Sequence, residues 1–322
     1  MGGELRMSIM KDPTFWEDED HLIEYLAYQL NAGRLALFLG AGVSRDFGLP
    51  DWYELMARIS QRVGAAPFTK EDNAPRRAQA IKEANFKNDP ERFLDLVQSS
   101  LYEGVSIDLE VLTRHRLLAA IGSLVMSSRR GSASKVVTLN FDDILETFLE
   151  YYGFVVASVI TERHWAPNSD VVVYHPHGFL PQSNERRRSS EIVLASSDFF
   201  RAISHSPTNA WRLLLVTLLR THTVLHVGMS GDDMNVESLM NDVKALHAAS
   251  PDAGKHSSEA AFNAVRFAER KVDGVSSDDQ SISFRQYGVY THNLASWNDL
   301  PSFMFRICQK ARSFRVTLEA DR

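Results

Sequence analysis

The sequence predicts an α/β protein with one doubly wound parallel sheet and a helical insertion. Short apolar runs of strand length alternate with helical patterns through the second half of the chain, which is typical of parallel sheets. A stretch with helical patterns but no strand separates the first strand run from the rest. The chain has 322 residues, 44% hydrophobic and 24% charged, which is the composition of a globular protein. Its length allows a domain with an insertion.

Four of the apolar runs end at small or polar residues. The runs are 35–39, 136–139, 171–174 and 223–227, and they are followed by 40–44, 140–142, 177–178 and 228–230. Ligands of open α/β sheets bind in the crevice outside the carboxyl ends of the strands. If the four runs are neighbouring parallel strands, their terminal residues therefore converge on one site.

The remaining elements follow in order along the chain. Helices are predicted over 21–30, after the acidic run 17–20, and over 52–63, with Pro50 just before the first turn. Helical periodicity without strands at 91–101 and 111–127 predicts a helical insertion over 65–130. The Rossmann-like sheet domain then comprises 22–64 plus 131–314. Its later part contains helices at 143–152, 211–220, 235–249 and 300–314, strands at 155–160 and 283–290, and partial helix around 260–270.

Composition excludes several classes of function. A net charge of −6 argues against a nucleic-acid-binding or membrane surface for this chain alone. One cysteine, Cys308, excludes internal disulfides and a cysteine zinc ribbon, and the scattered histidines predict no metal site. No apolar stretch reaches the roughly 18 to 20 residues of a membrane span, and no secretion signal is apparent, so we expect a cytoplasmic protein. The run Arg186-Arg187-Arg188 is expected to be a solvated loop rather than a phosphate contact.

The turn after the first strand is a candidate phosphate site. Gly40-Ala41-Gly42-Val43-Ser44 would let the backbone approach a pyrophosphate closely. The next glycine, Gly48, comes too late for the ordinary dinucleotide fingerprint, and the lysine of a P-loop is absent. A purely structural tight turn is the alternative interpretation.

The longer string over 40–52, Gly-Ala-Gly-Val-Ser-x-x-x-Gly-Leu-Pro-Asp-Trp, resembles the NAD-binding signature of the sirtuin superfamily. Three further sirtuin signatures follow in the same order, and the resemblance covers about 22–64 and 131–310. They are Thr138-Leu139-Asn140-Phe141-Asp142, His177-Gly178, and Gly228-Met229-Ser230 followed by Asp233 and Asn235.

Departures from the sirtuin pattern point to one branch of that superfamily. The zinc-binding cysteines are missing, the Pro-Asp-Phe-Arg motif is Pro50-Asp51-Trp52-Tyr53, and no peptide-holding segment follows Gly178. The chain thus resembles the divergent sirtuin-like proteins of bacterial anti-phage systems, which hydrolyse NAD. This resemblance implies NAD as substrate, no metal, and an effector kept inactive by a homo-oligomer or a companion defence protein. Residues 65–130 are then one candidate contact surface.

The resemblance also implies roles for individual residues. Asn140 and His177 are the candidate catalytic residues. Candidate NAD-binding residues are Gly40, Ala41, Gly42, Ser44, Asp51, Thr138, Asp142, Gly228, Ser230 and Asp233. Cleavage develops oxocarbenium character at the ribose, as in glycoside hydrolysis, and nicotinamide leaves as a neutral molecule without a general acid. The Asn140 amide would bind the ribose or a water, and His177 would act as general base towards a ribose hydroxyl or a nucleophilic water.

Alternatives remain open at this point. Asn140, Asp142, Ser230 and Asp233 are all residues that cap helices, and His175 competes with His177 as the base. Rival functions are an NAD-dependent protein deacylase, a non-catalytic NAD or ADP-ribose sensor, and a nuclease. The presence of both Asn140 and His177 favours catalysis over sensing.

Overall fold

A computed structural model describes residues 13–69, 71–128, 130–161, 168–203, 209–229, 234–248, 262–270 and 284–320. Its centre is a sheet of seven strands, all paired in parallel. The strands are β1 Leu35–Leu39, β2 Lys135–Thr138, β3 Val156–Val159, β4 Val171–Tyr174, β5 Thr223–Val227, β6 Ala264–Glu269 and β7 Val289–Leu294. Their spatial order is β3-β4-β2-β1-β5-β6-β7. The predicted α/β class with a doubly wound parallel sheet is therefore confirmed.

The four strands predicted to carry the site are consecutive in the sheet, as β4-β2-β1-β5. The chain builds the sheet outward from β1 on one side through β2 and then continues on the other side from β5. The direction of winding thus reverses at β1, and such a reversal opens the crevice where ligands of α/β sheets bind. The topology places the crevice between the ends of β2, β1 and β5.

Helices cover both faces of the sheet. The helices are α1 Pro13–Glu17, α2 Glu19–Asn31, α3 Trp52–Arg62, α4 Ala74–Phe86, α5 Pro90–Leu101, α6 Leu109–Arg114, α7 Arg116–Val125, α8 Ile144–Tyr151, α9 Ser196–Ile203, α10 Ala210–Thr221, α11 Met234–Ala248 and α12 Leu300–Ala320. Alternate residues of β1 pack against the two layers of helices. Leu37 joins the core that includes α2, α7 and α12, and Phe38 joins the core under α10 and α11. The buried strands are accordingly apolar on both faces.

Local capping explains where several helices begin. The Asp18 carboxylate accepts hydrogen bonds from the backbone at the start of α2, as Asn73 does for α4 and Asp89 for α5. Asp51 and Glu54 form a reciprocal capping box at the start of α3. These caps agree with the predicted helices at 21–30 and 52–63.

One predicted element is wrong. The partial helix expected around 260–270 is strand β6 over Ala264–Glu269, paired with β5 on one side and β7 on the other. A short apolar run is compatible with a helix or a strand. Here pairing with neighbouring strands on both sides favours the strand. The strand predicted at 283–290 begins only at Val289, and the last helix continues beyond 314 to Ala320.

The segment predicted as a helical insertion contains α4, α5, α6 and α7. Helix α7 packs beside α12, whereas α4 and α5 contact α3, and α4 also contacts α9. The contact between α7 and α12 belongs to the layer of helices that packs on the sheet. The contacts of α4 and α5 lie next to the carboxyl ends of the strands. Within the part of the chain that the structure describes, no helix is both long and apolar enough to cross a membrane.

Candidate active site at the carboxyl ends of four strands

The glycine turn after β1 packs directly against the backbone that follows β5. The Gly40 N–H donates to the Val227 carbonyl at 3.0 Å, and the Gly42 N–H donates to the Gly228 carbonyl at 2.9 Å. A Cβ at Gly42 would lie 2.8 Å from the Gly228 Cα, and one at Gly40 would lie 2.7 Å from the Gly228 oxygen. Only glycine permits this approach. Ala41 and Gly42 remain exposed on the outer side of the turn.

A cluster of polar side chains joins the β1 turn to the end of β2. The buried Ser44 hydroxyl donates to Asp142 Oδ1 at 2.9 Å. Asn140 Nδ2 donates to the Gly40 carbonyl at 3.1 Å and lies 3.3 Å from Ser44 Oγ. The Asn140 backbone N–H donates to Thr138 Oγ1 at 3.1 Å. These contacts bring together predicted site residues that are about 100 positions apart in the chain.

The orientation of the Asn140 side-chain amide follows from its partners. A carbonyl can only accept, so the contact with Gly40 identifies the nitrogen end of the amide. Its oxygen end is then the acceptor that this half-buried side chain offers to a ligand. Asn140 does not cap α8, and this alternative for Asn140 is therefore wrong.

Asp142 lies between the two loops and the start of α8. Besides Ser44, its Oδ1 accepts the backbone N–H of Ile144 at 3.1 Å, so Asp142 both orients the loop and satisfies a helix-start donor. Burial raises the pKa of the Asp142 carboxyl to about 6, against these two hydrogen bonds, which lower it. A buried carboxyl with a raised pKa at a strand end is typical of functional sites.

His177 lines a cavity of about 280 Å³ beyond the end of β4. The imidazole is 4% exposed, and the Phe199 ring of α9 meets it edge-on at 5.8 Å. The cavity walls combine apolar side chains with a few polar groups. Among the lining residues are Phe38, Leu139, Leu215, Asp198 and Arg212. Leu139 precedes Asn140 directly, so the cavity borders the end of β2.

The competing histidine, His175, also lines this cavity, but its ring is paired with a carboxylate. Its Nε2 lies 2.7 Å from Glu146 Oε1, both side chains are almost completely buried, and the ring packs against Phe179 at 4.4 Å. The strand ends at Tyr174, so the two histidines do not continue a regular strand. His175 is held by Glu146, and this leaves His177 as the better placed candidate base.

The segment after His177 folds back over it. Gly178 has a φ of +105°, and a Cβ there would lie 2.8 Å from the Glu191 carbonyl oxygen, so glycine is needed. The Val193 N–H donates to the His177 carbonyl at 2.7 Å. We call residues 179–193 the strap, because they cross from His177 to the helices of 65–130 and return.

Arginines fix the strap to neighbouring helices. Arg188 contacts Glu91 and Asp95 of α5 at 2.6 Å each, and these carboxylates raise the pKa of its guanidinium. Arg186 contacts Glu150 at 2.6 Å and lies 3.5 Å from Asp143. The solvated loop expected for this arginine run is therefore wrong for Arg186 and Arg188, which hold two helices. Local sequence does not reveal partners so distant in the chain.

The other predicted residues have separate positions. Thr138 is buried and supports Asn140, and Asp51 caps α3 and lies 3.7 Å from Arg45. Gly228 abuts the β1 turn, and Ser230 and Asp233 lie outside the described residues. No group of metal-ligating side chains occurs among the described residues.

Sequence reasoning missed three polar residues around the site, of which Glu146 and Arg212 are buried and Tyr102 is half-buried. Glu146 pairs with His175, the Tyr102 hydroxyl lies 3.1 Å from Asp143 and 2.9 Å from the Leu180 carbonyl, and Arg212 lines the cavity. Burial raises the pKa of the Tyr102 hydroxyl. A signal existed for Glu146 alone, as an acid in the otherwise mostly apolar first turns of the short helix α8.

Comparisons with known proteins show what the chain is similar to. Residues 134–289 match the family of the SIR2-like domain. The NAD(+) hydrolase ThsA of Enterococcus faecium is 25% identical over 70% of this chain and 43% of its own length. Defense-associated sirtuin 2 of Bacillus subtilis is 22% identical over 66% of this chain and 20% of its own length. A solved Sir2 homolog–NAD complex aligns over 91% of this chain and 94% of its own, with 14% identity and a TM-score of 0.46. The chain spans less than half the length of the two curated relatives.

Proposed function

Because residues 134–289 match the family of the SIR2-like domain, we propose that the chain hydrolyses NAD to nicotinamide and ADP-ribose. One observation carries the proposal: four adjacent parallel strands end together. These ends carry a glycine turn, an anchored Asn140 and a cavity-lining His177, which supports one shared site. A relative that is named an NAD(+) hydrolase supports it.

Each part of the site matches a requirement of the reaction. The exposed side of the glycine turn suits the pyrophosphate, because no side chain obstructs it there. The Asn140 side-chain oxygen accepts a hydrogen bond from a ribose hydroxyl or from the attacking water. His177 accepts the proton that this hydroxyl or water releases. Nicotinamide leaves as a neutral molecule, so no general acid is required.

The cavity suits the reacting end of the substrate. Its volume of about 280 Å³ lies just below the range of about 300 to 1,000 Å³ for sites that enclose a whole drug-sized ligand. It therefore accommodates nicotinamide and its ribose rather than the whole dinucleotide. Apolar walls such as Phe38 and Leu215 limit water around the developing positive charge.

The strap argues against a deacylase. In that function, an acylated peptide needs a groove beside the catalytic histidine. Here the strap returns over Gly178 and hydrogen-bonds to the backbone of His177 and Phe179. Water is then the acceptor that this site favours. A non-catalytic sensor would need neither a base at the cavity nor an anchored amide beside it.

We further propose that the chain acts as a cytoplasmic defence effector that depletes NAD when triggered, and the name of the B. subtilis relative supports the defence role. The helices of 65–130 contact both walls of the cavity. Lys82 of α4 lies 3.1 Å from Asp198, and Arg188 joins α5 to the strap. Another copy of the chain or a companion protein that binds these helices can therefore act on the cavity.

The test is product analysis. Purified protein is incubated with NAD, with and without an acetylated peptide, and the products are separated by chromatography. We expect nicotinamide and ADP-ribose in equal amounts, with no effect of peptide. Acetylated ADP-ribose would contradict the hydrolase proposal. If no product forms, NAD binding is measured instead. Binding that is the same in wild type, Asn140→Ala and His177→Ala would support the sensor.

Matched controls separate catalysis from folding. Asn140→Ala and His177→Ala are each expected to abolish cleavage while the fold persists. Asn31→Ala removes a similar amide, bonded to the Ala311 carbonyl at 3.3 Å, far from the site. His292→Ala removes another buried histidine, on β7. Both controls should retain activity, and full activity in either test variant would refute the role of that residue.

A further inference from the structure

We propose that Glu146 and His175 form a buried dyad that positions Asn140 for NAD cleavage. The inference rests on the proposed function, because it assigns positioning residues to that reaction. Neither residue is expected to touch the substrate. Both act through the backbone of the loop that carries Asn140.

Both side chains of the dyad are buried among other protein atoms. The side chains of His175 and Glu146 are 0% and 1% exposed, and the distance from Nε2 to Oε1 is 2.7 Å. Ser158 Oγ lies 3.4 Å from the same carboxylate oxygen, and the Phe179 ring packs on the imidazole. This short contact joins α8 to the end of β4.

The second ring nitrogen of His175 reaches the Asn140 loop. His175 Nδ1 lies 3.4 Å from the Asn140 carbonyl oxygen. A carbonyl and an ionised carboxylate are both acceptors, so both contacts are hydrogen bonds only when both ring nitrogens carry protons. In that arrangement His175 donates to Glu146 on one side and to Asn140 on the other.

The dyad therefore completes the anchoring of Asn140 on three sides. Thr138 accepts its N–H, Gly40 accepts its side-chain nitrogen, and His175 donates to its carbonyl. The first two anchors come from the strands that form the crevice. The third comes from His175, directly after β4 on the segment that leads to His177, so the dyad connects the candidate base with the candidate amide.

Stability alone does not explain such a pair. Replacing a buried ion pair by apolar side chains of similar volume is often neutral or stabilising, so a buried pair is weak evidence of a stabilising role. A positioning role explains why charge is present here. The pair holds the start of α8 and the end of β4 in the relative position that the active site needs.

The first test is Glu146→Gln, which keeps the shape of the side chain and removes its charge. The glutamine oxygen still accepts from Nε2, but the neutral ring then turns a lone pair toward the Asn140 carbonyl. We expect kcat for NAD to fall about 10- to 100-fold, as for a small misplacement of a catalytic group. KM is expected to stay within about twofold, because the glycine turn is unchanged. Glu146→Asp retains the charge and should recover part of kcat.

The matched control is Glu19→Gln. Glu19 pairs with the buried His292 at 3.2 Å, and His292 lies on β7, at the opposite edge of the sheet from β3 and β4. Loss of this remote Glu–His pair should leave kcat unchanged. If Glu146→Gln also retains full kcat, or if both variants reduce it equally, the positioning role is refuted.

A second readout needs no activity. In nitrogen NMR spectra of histidine-labelled wild-type protein, with His175→Gln used for assignment, both ring nitrogens of His175 should show the imidazolium signature. The side-chain amide signals of Asn140 should shift in Glu146→Gln and not in Glu19→Gln. A neutral His175 ring, or unchanged Asn140 signals in a folded Glu146→Gln, would overturn the dyad. If wild-type protein does not cleave NAD, the proposed function fails, and these spectra still decide the inference.

Discussion

Replacing Gly228 by alanine should disrupt the site through the backbone alone. Gly228 has a φ of +70°, which costs an alanine about 1 to 2 kcal/mol. Its new Cβ would also lie 2.7 Å from the Val43 nitrogen and 2.9 Å from the Gly42 carbonyl carbon. Those atoms belong to backbone and cannot rotate away, so the β1 turn must move. Overpacking of this kind adds about 1 to 3 kcal/mol.

The matched control is Gly153→Ala. Gly153 has a similar φ of +84°, but a Cβ there meets nothing within 4 Å. This variant should lose only the conformational contribution of about 1 to 2 kcal/mol. The difference between the two variants, about 1 to 3 kcal/mol, is then the cost of separating the β1 turn from the β5 end.

Urea unfolding measures both stabilities, and nicotinamide release measures activity. We expect Gly228→Ala to be the less stable variant and to lose NAD cleavage, whereas Gly153→Ala keeps it. Equal losses of stability, together with full activity in Gly228→Ala, would refute the close backbone approach as a requirement of the site.

Two further predictions concern charge. Because burial raises the pKa of Asp142 from its ordinary 3.8 to about 6, its stabilising contribution is complete below about pH 4 and is lost as the pH rises through 6. Asp142→Asn keeps the acceptor oxygen, so its stability relative to wild type should increase by about 3 kcal/mol between pH 4 and pH 7, and a pH-independent difference in urea unfolding would contradict this. Arg188→Gln should release the strap from α5 at a stability cost of about 1 kcal/mol or less, since these pairs are partly exposed. Limited proteolysis should then cut the strap faster than in Arg187→Gln, and equal cutting rates would refute the anchoring.

Sequence could predict the site because its main signals are local. Each strand that carries a motif is an apolar run that ends at a glycine or a polar residue, so the ends of β1, β2, β4 and β5 were recognisable one by one. The sheet confirms that the four strands are neighbours, and the rule that ligands bind at strand ends then predicts one shared site there.

The contacts that complete the site could not be predicted in this way. The bond between Ser44 and Asp142 spans 98 positions, and the contact between Arg188 and Asp95 spans 93. Such pairs depend on packing, which no local period records. The same reason explains the error at β6, whose six residues become a strand through neighbours on both sides. Glu146 and His175 were likewise unrecognisable as a pair before the fold placed α8 beside β4.

The proposed function requires that the four strand ends form one NAD site. A crystal structure of the His177→Ala variant with NAD tests it most directly, because the variant cannot turn the substrate over. We predict the pyrophosphate against the turn at Gly40 and Gly42, the ribose beside the Asn140 side-chain oxygen, and nicotinamide in the cavity. NAD bound at another surface, or no binding of NAD at millimolar concentration, would contradict the account.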